Sequence, residues 1–576
     1  MSKQRNTEKP VLTFDGFRGM DETKGHSDPT CAADILNFRI RPDGSLQKRC
    51  GYRLLTDVEA PIRAWWSGVI ESVCRLYLAT DEEVLSINPV SGEQTTVSAL
   101  PSPYQPSCFF FHRDSLYLLN GNEFYRVSEK GVTPVIGYVP LIGKDWDNRS
   151  VGEPYEPRNI LTRHARISYI ISTPASMFLS VEGVVESIER VEVNGEEIDP
   201  SRYEFDTGFN TINVTGLEDD DRVTVYVTFA EGHEDLRKQL CSCRYSTSFG
   251  GPSSGRLFFW GGDTPTTIFC SSYVKKDHLA DAQRGYADSV PLYFPVDFEF
   301  TVGEGRYAVQ GAERHYDRLL IFTEGDVWIA GEESSGLDEF PTLGINAGIG
   351  CASPAGVALA ENDPVTVGPY AVWQWSGETD RLNERNATRL SAAIDPLLTP
   401  EDYLSAELYY HRRRSELWIN VRKRKEIWVY HVNHRQWYRF DAIHADHLFD
   451  LDTSVAFLRD SKVFVFDEEL SVDREADGEE RPITAHYVST VSDFGDETKK
   501  NLARLILRGD LDGGVVDVTF SGRGTEDVRC SLSDSSDDHS VIDRRLSSGS
   551  FRYGSVRLDS ADGARPTIHS LTLRTR

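Results

Sequence analysis

The sequence predicts an all-β chain: a β-propeller with an inserted small β-sandwich domain and a C-terminal β-sandwich domain. Three observations lead there. Short apolar runs recur in pairs joined by polar turns, aromatic residues are abundant (28 Phe, 24 Tyr and 10 Trp), and helical periodicity is scarce. Aromatic and β-branched side chains suit a pleated, half-buried surface. A chain of 576 residues is too long for one core, so roughly two to four domains are expected.

The paired runs appear in order along the chain. Residues 74–80 turn at 81–83 into 84–87, and residues 115–119 turn at Asn120-Gly121-Asn122 into 123–127. An Asn-Gly step favours a tight turn whose two central residues have positive φ. Later pairs are 255–260 with 267–270, 317–322 with 327–329, 416–421 with 427–430, and 454–458 with 463–466, with a further run at 370–375. About seven such hairpins fall within the range of ordinary propellers. No hairpin buries both faces alone, so radial stacking is a natural solution, although two packed sandwiches would also bury them.

The rhythm breaks at residues 156–238, where longer alternating strands and the turn Asn194-Gly195 predict an inserted immunoglobulin-like sandwich. The division is then 1–155 for an N-terminal segment and the first blades, 156–238 for the insertion, and 239–472 for the remaining blades. The acidic stretch 473–480 reads as a linker, and 483–576 as the terminal sandwich. Short helices are expected near 391–398 and 275–283.

With 90 acidic against 62 basic residues the formal charge is -28, which repels a phosphate backbone and argues against general nucleic-acid binding. No run approaches the roughly 20 apolar residues of a membrane helix, and the start MSKQRNTEKP has no secretion-signal core. The expectation is a protein made in the cytoplasm and kept there, or released only by lysis, with no membrane partner. Nine scattered cysteines argue against a disulfide framework. Cys241 and Cys243 are expected on a strand, reduced, without the further ligands zinc needs.

The chemistry-bearing candidates reduce to structural readings. Asp219-Asp220-Asp221 suits an exposed turn. His431, His434, His444 and His447 lie near Trp437, Asp441 and Asp446, but a three-residue step on a strand points two rings to opposite faces. No Gly-x-Ser-x-Gly elbow, phosphate-cradling glycine loop or dinucleotide fingerprint occurs. The expectation is a non-enzyme with no catalytic, cofactor or metal residue.

One constellation stands out. Arg412, Arg413 and Arg414, with Arg422, Lys423, Arg424 and Lys425, flank the strand 417–421. Seven cations are expected to crowd one patch, either as a contact with an acidic neighbouring subunit or DNA, or as a solvated turn face.

The opening stretch is the most specific. Phe14-Asp15-Gly16-Phe17-Arg18-Gly19-Met20, then Ala33-Asp34-Ile35-Leu36-Asn37-Phe38, then 43–52 with its Gly44-x-Leu46-x-x-Arg49-x-Gly51 turn, resembles the propeller-containing tail-nozzle or tubular proteins of short-tailed bacteriophages and related prophage structural proteins. Looser matches are Tyr138-Val139-Pro140, 157–162, Tyr293-Phe294-Pro295, and Ser492-Asp493-Phe494-Gly495 with Lys499-Lys500. The resemblance implies a non-enzymatic virion component of the tail or head-tail connector. It would form a homo-oligomeric ring, commonly a hexamer, between portal- or adaptor-side and tail-side proteins, with DNA passing through. Two alternatives are a tail-tip propeller binding host glycan through Trp260, Trp373 and Trp375, and a glycan depolymerase on the same scaffold.

Overall fold

The structure is a computed structural model. It describes residues 11–23, 30–100, 105–150, 152–172, 176–179, 183–250, 255–272, 274, 292–331, 342–376, 386–495, 497–533 and 541–576. The helix expected at 275–283 lies outside the described residues.

Among the described residues, seven four-stranded antiparallel units follow one another. The first six run from Ala64–Ile70 to Gln94–Ala99, Cys108–His112 to Gly131–Pro134, Tyr245–Phe249 to Glu299–Thr301, Val309–His315 to Thr342–Asn346, Val357–Ala360 to Ala387–Arg389, and Ala406–His411 to Gln436–Phe440. The seventh combines His447–Leu451, Ser454–Arg459 and Lys462–Asp467 with Gly51–Asp57, a strand from ahead of the first unit. The first strand of each unit lies beside the first strand of the next, and the seventh beside the first. The ring is therefore closed, and the protein is a seven-bladed β-propeller.

Apolar side chains fill each gap between blades. Phe110 meets Phe259 with centroids 4.9 Å apart, and Phe322 meets Trp375 at 5.6 Å. Leu76 and Leu78 of the first blade share a cluster with Val463 and Leu451 of the seventh. The hairpins expected from sequence fall on the second and third strands of the blades, the strands buried on both faces; Glu416–Val421 is buried at every position. Asn120-Gly121 differs from its expected geometry. Only Gly121 has positive φ, and the Asn120 side chain closes the turn by accepting from the Glu123 amide at 2.7 Å.

The insertion begins earlier than expected, because Leu141–Asp147 pairs in parallel with His164–Ile170. That five-stranded sheet faces the three strands Ser176–Phe178, Thr211–Val214 and Tyr203–Asp206, with Ile167, Tyr169 and Val225 packed against Met177 and Ile212. In place of the expected strand, Cys241 ends the helix Glu234–Cys241 and Cys243 follows it, both buried and free. The helix expected at 391–398 is two short turns, Ser391–Ala393 and Asp395–Leu397, separated at Ile394.

The terminal sandwich is not confined to 483–576. Val11–Phe14 and the hairpin Phe38–Ile40/Leu46–Lys48 join the sheet of Leu502–Asp510 and Thr567–Thr575. Arg18–Met20 and Cys31–Leu36 bridge the sixth blade to Ala485–Ser489, making one ten-stranded sheet. Gly19 is required at that bridge, since a Cβ there would sit 2.3 Å from the Trp437 carbonyl oxygen. Residues 473–480 are no linker either: Val472–Arg474 and Glu480–Pro482 form a hairpin. Arg49, 2% exposed, holds buried Asp473 through two hydrogen bonds of 2.8 and 2.7 Å and donates to Asn37 at 3.0 Å.

Arg49→Leu leaves Asp473 buried without its cation, and a loss of about 3–5 kcal/mol is expected, read as a lower urea midpoint. Arg49→Leu with Asp473→Leu should recover much of it, because the pair's net contribution is far smaller than the cost of stranding one charge.

Candidate functional site

Antiparallel pairing decides where the seven cations lie. Glu416–Val421 pairs with Ala406–His411 through His411 and Glu416, and with Glu426–His431 through Val421 and Glu426. Consecutive hairpin turns fall at opposite ends of the strand they share, here six residues or about 20 Å apart. The single patch expected from sequence is therefore two, one on each face of the ring. Each cluster forms a tight turn ended by a residue at positive φ, Ser415 at 50° and Lys425 at 57°.

The face bearing Arg422–Arg424 carries a network across three blades. Glu407 receives His447 Nδ1 at 3.0 Å, Asn420 at 3.0 Å and the Leu448 amide at 3.2 Å. Arg422 lies 3.6 Å from Glu407 and 3.3 Å from His447. The Trp65 ring of the first blade covers His447 with centroids 4.3 Å apart. Arg424 pairs with Asp402 at 2.7 Å, and Lys423 and Lys425 are exposed. This network joins blades six, seven and one, so part of the basic cluster is spent on closing the ring.

On the other face, Arg413 and Arg414 line a cavity of about 770 Å³ between blades six and seven, together with Arg39, Arg49, Arg53 and His411. Arg414 pairs with Glu468, which also receives Arg565 at 2.7 Å. Burial raises the Glu468 carboxyl, but Arg414, Arg565 and Arg39 outweigh it and hold it at about 2. Arg53 pairs with Asp467 at 3.1 Å. Deeper in, Arg39 lies 3.0 Å from Glu416, whose carboxylate also accepts from Trp418 at 2.9 Å and Tyr438 at 2.7 Å. Burial pushes the Glu416 carboxyl up, and Arg39 with those hydrogen bonds brings it below its ordinary value.

Sequence reasoning missed Arg39, Glu416 and Glu468 as a constellation, since they are far apart in the chain. The available signals were a glutamate opening an apolar strand and Arg49 within the opening motif.

The remaining candidates are dispersed. His431 and His434 meet edge to face at 4.4 Å at the turn after the third strand of the sixth blade, whereas His444 and His447 begin the seventh blade at the other end. Trp375 is fully buried and donates to Thr366 at 3.0 Å, and Trp260 is 5% exposed, so neither is a glycan platform; Trp373 is half-buried. Asp221 closes a turn by accepting from Asn194 and the Glu218 amide, both at 2.8 Å.

No family model and no curated protein matches the chain. Among solved structures it is similar to PorZ, a surface component of the type-IX secretion system of Porphyromonas gingivalis, at 10% identity and TM-score 0.33, covering 72% of this chain and 37% of that one. It is also similar to the WD40 domain of SCAP from fission yeast, at 8% identity and TM-score 0.30, covering 72% and 97%. A third is an exo-β-1,3-galactanase from Phanerochaete chrysosporium, at 8% identity and TM-score 0.23, covering 92% and 100%. The chain spans about a third of the length of PorZ. Likenesses this distant carry no argument about activity.

The His411 ring gives a pH prediction. It is 8% exposed, and burial, with Arg39 and Arg414 nearby, pushes it down to about 4. The unfolded chain then takes up a proton at about pH 6.5 that the folded one refuses until about pH 4. Stability is complete above about pH 6.5 and falls as pH drops towards 4, by roughly 2–3 kcal/mol after allowance for solvent screening. His411→Phe should flatten that part of the pH profile of the urea midpoint, leaving the slope from the similarly depressed His112.

Proposed function

We propose that the chain is a virion structural protein of a tailed bacteriophage or prophage, a ring or nozzle component of the tail or head-tail connector through which DNA passes. One observation carries the reading: residues that resemble that family, scattered along the chain, meet at two joints, each centred on an asparagine.

At the first joint Asn37, with φ of 54°, donates to Asp441 at 2.6 Å and to the Thr484 carbonyl at 2.7 Å, and accepts from Arg49 and the Asp441 amide at 3.0 Å. Leu46 is fully buried opposite Ile40, and Gly51 leaves room for the Val472 carbonyl, 1.8 Å from where a Cβ would stand. This joint ties propeller to terminal sandwich. At the second, buried Asn159 donates to the carbonyls of Tyr138 at 2.8 Å and Leu292 at 3.0 Å, and accepts from the amides of Leu161 at 3.2 Å and Phe294 at 3.1 Å. Tyr138 and Tyr293 pack edge to face at 5.0 Å. Here the insertion leaves the ring.

A match that falls on the fixed points of an architecture supports common architecture more than a chance run of residues would. The formal charge of -28 supports a wall past which DNA slides without adhering. The ring is read as a homo-oligomer, a hexamer, with portal- or adaptor-side and tail-side neighbours. The glycan-binding alternative loses two of its three tryptophans to the interior.

Purified protein should form rings with a central channel in negative-stain electron microscopy, with six copies by light scattering, and mass spectrometry should find the chain in particles released by lysis. A protein that stays monomeric at high concentration and is absent from such particles would overturn the proposal.

A further inference from the structure

The cavity between blades six and seven has a feature that ring closure does not explain. Arg39 is 4% exposed, yet its Nη1 has no hydrogen-bond partner among the described residues. Its ion-pair partner Glu416 is already engaged by Trp418 and Tyr438. A buried guanidinium with an unmet donor is costly, and the cost falls only when an acceptor reaches it. Arg39 forms part of the wall of the 770 Å³ cavity, and so do Arg413, which is exposed on its turn, and Arg414, which is half-buried.

From this geometry we propose that the cavity is a binding pocket for a phosphate group, with Arg39 at its floor, Arg413 and Arg414 at its rim, and Glu468 as a resident carboxylate that the ligand displaces. Glu468 occupies the rim as an anion would, held by Arg414 and Arg565. No ion pair joins it to Arg39 among the described residues, although Arg39 contributes to holding it ionised. A carboxylate offers two oxygens and serves one guanidinium fork well. A phosphate offers more acceptors and suits donors arriving from several directions.

Arg49 and Arg53 are not part of the proposed contact, because Asp473 and Asp467 already neutralise them. Asp452 and Glu469 also border the cavity and weaken its attraction for anions. Affinity therefore depends on freeing Arg414 from Glu468. The cavity is much larger than a phosphate, and Trp418 and Phe440 contribute to its wall, so an organic phosphate has room for the group that carries it.

The full-length protein is titrated calorimetrically with inorganic phosphate and, separately, with a nucleoside monophosphate, at constant ionic strength set with chloride. Binding of inorganic phosphate alone identifies a free-anion site; tighter binding of the nucleotide identifies an organic phosphate. In either case Arg413→Ala with Arg414→Ala should weaken binding by about tenfold or more, and Glu468→Gln should tighten it. Arg413→Ala alone, on an exposed turn, guards against a folding defect and should also weaken binding. The proposal is overturned if neither ligand binds beyond the chloride control, if the arginine variants keep wild-type affinity, or if Glu468→Gln binds no better.

Discussion

Everything in this molecule depends on a strand that arrives before it is needed. Gly51–Asp57 precedes the first blade and completes the seventh, pairing antiparallel from Lys462 opposite Asp57 to Asp467 opposite Gly51, with one register shift between Val463 and Phe464. Without it the seventh blade would end on an open edge, with unpaired amides and carbonyls beside an apolar surface. With it, the two ends of a 400-residue circuit are fastened by backbone hydrogen bonds, and Lys462 and Asp57 add an ion pair of 2.8 Å. Ring closure is thereby a non-local event that no individual blade can accomplish.

The residues around this closure explain why so many charges are buried in one region. The strand must be anchored on both flanks, and the chain on its N-terminal side is woven into the terminal sandwich. Arg49, Asp473, Asn37 and Asp441 link the closing strand, the hairpin after the seventh blade and the outer strand of the sixth. Polar groups in that position specify a register in a way that apolar contacts do not, since a slip of one residue would leave each of them unpaired. Arg439, which forks between Asp34 at 3.2 Å and Glu426 at 2.8 Å, acts in the same way one strand further out.

The two faces of the ring then have different characters. One carries the Glu407–His447–Arg422 network, whose cations are largely committed to structure. The other opens into the arginine-lined cavity beneath blades six and seven. On both faces many of the basic groups are paired, as Arg414 with Glu468 and Arg424 with Asp402, whereas Arg413, Lys423 and Lys425 stand exposed on their turns.

Six of the hairpins and one strand of the seventh were legible in the sequence because the second and third strands of a blade are buried on both faces, and continuous apolar runs such as Leu319–Phe322 record that directly. Changes in strand length and alternation set residues 156–238 and the chain beyond 483 apart from the blade pattern. The first and fourth strands were less legible, being shorter or mixed in polarity, as in Gln94–Ala99 and Gly131–Pro134. What only the tertiary structure decided is which strand closes the ring, that residues 11–48 belong with the far end of the chain, and that two neighbouring basic turns face opposite ways. Each of these depends on pairing between residues hundreds of positions apart or on the direction of successive strands. Local composition records how deeply a residue is buried, but it holds no information about which distant partner buries it.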